Sequence, residues 1–187
     1  MANPTTTLPT DAVLVGGILA RISGDLGMML GHELELGAPA LTRAHARPAG
    51  AGQVHISFKL ALANADAGER HGALLVPLRE ALTMGCFLLM IPEERVSARR
   101  EEAAPDLALK DALLEIGNMI GGATSTALAE LGLAGWTARS AGCQGVRAGV
   151  RPAFPYEEGG ALVVARFQAA LAPFPPFEAL LILPSLE

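Results

Sequence analysis

The stretch DLALKDALLEIGNMIGGATSTALAELG, residues 106–132, decides how the rest of the chain is read. At roughly 100° per residue, Leu113, Ile116, Ile120, Ala127 and Leu131 gather on one side of a helix and can face a core. Asp111, Glu115, Asn118, Gly122 and Ser125 follow a 4-3-4-3 spacing and form a second stripe. That stripe carries two acids and a carboxamide, then residues with almost no side chain. Polar groups on an amphipathic helix are ordinarily just a solvated face, but two features speak against that here. Asn is a poor helix former because its side chain competes for backbone hydrogen bonds, and Gly117, Gly121 and Gly122 surround Asn118. Each interior glycine costs about 0.5–1 kcal/mol relative to Ala. Close approach of another backbone is the expected reason for them.

The chain around this helix has 187 residues, of which 51% are hydrophobic, and a net charge of −5. This composition suits a compact, well-buried globule. The acidic balance, without a Lys/Arg-dense face, disfavours nucleic acid as a partner. No apolar run approaches the ~20 residues that span a bilayer. The start, MANPTTTLPTD, lacks the basic and apolar regions of a signal peptide. No membrane association is expected, and the cytoplasm is the default compartment. The expected organisation is a flexible arm over residues 1–9 and a single domain over 10–187, with halves of roughly 10–91 and 106–187.

Residues 11–31, DAVLVGGILARISGDLGMMLG, have helical spacing and look like a degenerate copy of the central helix. Asp11 to Leu14 match Asp111 to Leu114, and Gly17 matches Gly117; Val15 then stands where Glu115 is, and Ile18 where Asn118 is. From Gly37 onward the pattern turns β-like. PALTRAHAR is a short mixed segment, VHISFKLALA alternates strongly, and GALLVPL follows a turn over residues 64–68. A helix is expected from Glu80 to Met90, stopped by Pro92, and a charged connector over 93–105. AGWTARSAGCQGVRAG, ALVVARFQAAL and EALLILP read as three further strands. The fold class is therefore α+β: two pseudo-symmetric halves, with long helices side by side on one face of a mainly antiparallel sheet.

Competing sites are missing from the sequence. The four histidines show no metal-ligand spacing, and the two cysteines, Cys86 and Cys143, are not spaced as a metal pair. There is no G-x-S-x-G and no P-loop. No metal site and no cofactor of its own is expected. The Glu115/Asn118 stripe is left as the candidate.

At these residues the chain resembles the CheC/CheX/FliY chemotaxis phosphatases. Their signature is Asp or Ser, three residues, Glu, two residues, Asn, then twenty-two residues and Pro. Asp111, Glu115 and Asn118 fit its first three positions, while Ala141 stands where the pattern has Pro. Ala141 follows a strand-like run, so a local change in strand geometry is expected there. The single intact motif is closest to the CheX-like branch. The resemblance implies hydrolysis of the aspartyl phosphate of a CheY-like response regulator, in chemotaxis or two-component signalling. Asn118 would align the attacking water and Glu115 would pair with the regulator's lysine. Asp111, Gly121, Gly122 and Ser125 would form the docking surface, with Mg²⁺ supplied by the regulator. CheX-like relatives dimerise, so a homodimer is a further implied state.

The chemistry agrees with that role. A carboxamide orients water by accepting one hydrogen bond and donating another, and positioning supplies much of the catalysis of phosphoryl transfer. A second reading stays open: a non-catalytic module that binds a response regulator or acts as a flagellar-switch component. Exposure of Glu115 and Asn118 discriminates, since buried and internally satisfied groups would exclude catalysis.

Overall fold

The computed structural model describes residues 8–186; most of the expected arm, residues 1–7, lies outside them. The elements run α1 (Asp11–Leu30), β1 (Leu34–Leu36), β2 (Ala40–Ala44), β3 (His55–Asn64), β4 (Gly68–Pro77), α2 (Leu78–Leu88), α3 (Glu93–Arg99), α4 (Leu107–Glu130), β5 (Trp136–Val146), β6 (Leu162–Leu171) and β7 (Phe177–Pro184). The class is α+β. The charged connector holds the short helix α3. The three-residue strand β1 falls just before the expected start of β structure, too short to leave a period in the sequence.

Side-chain caps fix where the two long helices begin. Thr10 Oγ1 accepts from Val13 N at the start of α1, and Asp106 Oδ1 accepts from Leu109 N at 2.9 Å at the start of α4. Arg99 also donates to Asp106 at 2.6 Å, and both contacts hold that carboxyl below its ordinary range, the backbone one most. The helices pack side by side, with the first half of α1 against the end of α4. Gly17 lies so close that a Cβ there would stand 3.0 Å from Leu131 Cδ1, and Arg21 reaches Glu130 at 3.4 Å.

All seven strands form one sheet of order β1-β6-β7-β4-β3-β5, with β2 also paired to β6, and every pairing is antiparallel. Exchanging β2 with β5, β3 with β6 and β4 with β7 interchanges β2–β6 with β5–β3 and β3–β4 with β6–β7, and maps the central β4–β7 pairing onto itself. The pseudo-symmetry is thus visible in the topology, and it is an intertwined one. The edge strand of each half bonds to the hairpin of the other: β2 to β6, and β5 to β3.

One sheet face meets the helices through Ile56, Phe58, Leu60, Leu62, Leu74 and Val76, among others. The opposite face carries a second cluster around Leu75, Leu162, Val164 and Ile182, closed by Phe154 from the β5–β6 loop. Arg47 donates to the Phe154 carbonyl at 2.9 Å and lies over its ring. With both faces covered, His55, Ser57 and Ala61 on the second face of β3 are buried as well.

By length and composition α1 is apolar enough to cross a bilayer. Its Leu14, Val15, Ile18, Leu19, Ile22 and Leu26 are buried in the core. A helix that packs one apolar face into its own core meets the same criterion.

Candidate functional site

The outward face of α4 carries Asp111, Glu115, Asn118 and Gly122, all exposed, with Ser125 half-buried further along. Glu115 and Asn118 lie one turn apart, and Asn118 Nδ2 donates to Glu115 Oε2 at 3.2 Å. That contact uses one of the amide's two donors. Among the described residues the Asn118 carbonyl oxygen has no partner. It stands ready for a water or an incoming group. Leu114 adjoins the polar pair on the same side of the helix and is 44% exposed.

The glycines divide into two roles. Gly122 has open space around it, as a docking position requires. Gly121 does not face outward: it is buried, and a Cβ there would stand 2.5 Å from Ser140 N and 2.8 Å from the Arg139 carbonyl carbon of β5. Its assignment to a partner-binding surface is therefore corrected. The expected close backbone approach is real, but the backbone belongs to this chain's own sheet. Gly117, one turn earlier, also faces the sheet, but a Cβ there would meet side-chain atoms, Ser140 Oγ at 3.1 Å and Phe58 Cδ1 at 3.6 Å.

Beneath this contact β5 is irregular. Phe58 pairs with Cys143 and Leu60 with Ser140, so β5 inserts one extra residue opposite Lys59. The bulge falls at Ala141 and Gly142, where Gly142 has φ +90°, a conformation that favours glycine. The expected local change in strand geometry at Ala141 is this bulge.

The sequence match between α1 and α4 also shifts. Val15 and Ile18, set against Glu115 and Asn118 by residue identity, are wholly buried. The buried positions 14, 15, 18, 19, 22 and 26 of α1 correspond to 112, 113, 116, 117, 120 and 124 of α4. This register, two residues from the sequence match, places Gly17 and Ala20 opposite Glu115 and Asn118. Neither can bind or activate anything through a side chain, so α1 offers no second copy of the polar pair.

A groove of about 500 Å³ lies elsewhere, between the start of β4, the end of β7 and the loop before β6. Its polar groups answer one another. His71 Nε2 pairs with Glu69 at 3.1 Å, Arg139 reaches the same Glu69 at 2.8 Å, and Tyr156 donates to the Gly160 carbonyl at 2.7 Å. Arg70 donates to the Ser185 carbonyl and lies over Trp136. Polar groups already engaged with each other make this groove a weaker candidate than the convex face of α4. Among the described residues no three His, Cys, Asp or Glu side chains gather in a way that could hold a metal ion.

No family model matches the sequence, and no curated protein matches it. Solved structures do resemble the fold. FliY of Thermotoga maritima superposes with a TM-score of 0.71 at 13% identity, covering 97% of this chain and 93% of its own. CheX of Vibrio vulnificus gives 0.57 at 18% identity, with 90% and 96% covered. FliM of H. pylori, from its complex with FliG, gives 0.63 at 9% identity, with 92% and 90% covered. The chain has the fold of the CheC, CheX and FliY chemotaxis proteins, which FliM also shares.

Proposed function

We propose that the chain hydrolyses the aspartyl phosphate of a CheY-like receiver domain, docking it on the exposed face of α4. The observation that carries this reading is the Glu115–Asn118 pair, hydrogen-bonded to each other, open to solvent and flanked by the bare surface at Gly122. A convex helix has no pocket for a small molecule, so the substrate must bring its own walls, metal and charge. A receiver's phosphorylation site, with its Mg²⁺ and lysine, meets that requirement.

In this reading Asn118 enters the receiver's site and holds a water in line with the phosphorus. The water oxygen forms the new P–O bond as the bond to the aspartyl oxygen breaks. The aspartate leaves as carboxylate, and the proton passes to the released phosphate. Glu115 pairs with the receiver's lysine and sets the register, while Asp111, Gly122 and Ser125 lie along the contact. We place the chain in the cytoplasm, where such regulators act, and take a homodimer through an open sheet edge as part of the proposal.

The likeness to FliM at a TM-score of 0.63 favours a second reading, a module that binds its partner without hydrolysing anything. The decisive experiment is phosphate loss from a radiolabelled receiver domain, with and without this protein. Acceleration that drops by about 10²–10³ in Asn118→Ala supports the phosphatase, a loss typical of one preorganised group. Binding without acceleration overturns it in favour of the second reading.

A further inference from the structure

The helix that carries the polar pair comes close to Ser140 of its own sheet at two inner positions one turn apart, Gly117 and Gly121, and neither has a side chain. At Gly121 the contact is with backbone, 2.5 Å from a would-be Cβ to Ser140 N. At Gly117 it is with a single side-chain atom, Ser140 Oγ at 3.1 Å, with Phe58 at an ordinary 3.6 Å. Gly117 directly precedes Asn118 and lies two residues after Glu115. Whatever sets the height of Gly117 above the sheet sets the height of both side chains.

Ser140 is itself held by the bulge. Gly142 N donates to Ser140 Oγ at 3.2 Å, closing a small ring around the extra residue. The extra residue lets Ser140 and Cys143 both pair with core-facing residues of β3, Leu60 and Phe58. In a regular strand those positions, three apart, would point to opposite faces. The edge position of β5, bonded only to β3, leaves room for the irregularity.

We propose that Ser140, fixed by the Ala141–Gly142 bulge, is a positioning residue that sets the α4 turn bearing Glu115 and Asn118. The proposal rests on that turn being the working site. Ser140 touches no substrate and acts through Gly117.

The test is a relief experiment. Gly117→Ala places a methyl 3.1 Å from Ser140 Oγ and pushes the turn outward by a fraction of an ångström. Adding Ser140→Ala removes the atom in the way, since outside the helix's own backbone and the flanking residues only Phe58 among the described residues otherwise lies within 4 Å of that Cβ. The single variant should lose about fivefold in kcat on a phosphorylated receiver, with KM changed by less than about twofold, because misplacement by a whole ångström costs ~10²-fold. Its Asn118 side-chain amide signals should move in the NMR spectrum. The double variant should recover both. Unchanged turnover and amide signals in the single variant overturn the proposal, as does a double variant no better than the single. If the wild-type protein releases no phosphate, the reading of function fails but the amide signals still decide: movement in the single variant and return in the double support the positioning role, and anything else overturns it.

Discussion

Asn118 Nδ2 donates to Glu115 Oε2 at 3.2 Å across one turn of α4, so the two groups are held together before any partner arrives. Glu115 keeps a second oxygen and its charge for the partner. Glu115→Gln preserves the size and an oxygen that can accept from Asn118, and removes only the charge. Turnover at saturating receiver should stay within about threefold of wild type, while KM rises roughly tenfold, the scale of one charge-assisted contact. A fall in kcat with unchanged KM would instead place Glu115 in the chemical step.

Leu114 lies beside the pair and is 44% exposed, which costs the fold little to change. If the face docks a receiver, part of this side chain becomes buried there. Leu114→Ala should weaken binding by about fivefold, corresponding to ~1 kcal/mol of apolar burial. The melting temperature should not move. Titration calorimetry with the receiver checks the first point and a thermal melt the second.

Periodicity is what made much of this legible. The alternation of Ile56, Phe58, Leu60 and Leu62 and the stripes of α4 report local geometry, and the elements formed where those patterns lie. The pairing of β2 with β6 and of β5 with β3 depends on contacts far apart in sequence and leaves no local trace. Gly121 and Gly122 are adjacent and identical in sequence, yet one is sealed against β5 and the other is open. A one-residue step of about 100° separates the two faces, and only the packing partner tells which is which. The same limit explains the α1 match. Residue identity aligned Asp11 with Asp111, whereas burial aligns the helices two residues away.

The two glycines therefore respond oppositely to the same substitution. Gly121→Ala puts a methyl 2.5 Å from Ser140 N, a backbone atom in a paired strand that cannot swing aside. It should destabilise the protein by about 1–3 kcal/mol, the range for overpacking. Gly122→Ala meets nothing within 4 Å and should stabilise by about 0.5–1 kcal/mol through better helix propensity. Urea titration of both variants checks the signs. Weaker receiver binding by the more stable Gly122→Ala would show that the bare surface is retained for docking.

His55 links stability to pH. Its ring is buried under Gly50, and Nδ1–H donates to the Gln53 carbonyl at 2.8 Å. Burial lowers its pKa; the Gln53 carbonyl and the charges of Glu178 and Glu80 oppose this more weakly. The folded protein thus resists a proton that the unfolded chain accepts near its ordinary value of about 6.5. Where the unfolded state binds more protons, stability rises with pH. The neutral ring's contribution is complete above about pH 6.5 and declines as pH falls below that value toward the folded pKa. The urea midpoint of the wild type should accordingly fall between about pH 7 and pH 5, and His55→Gln should flatten that slope. A slope that survives the substitution unchanged would assign it to other groups.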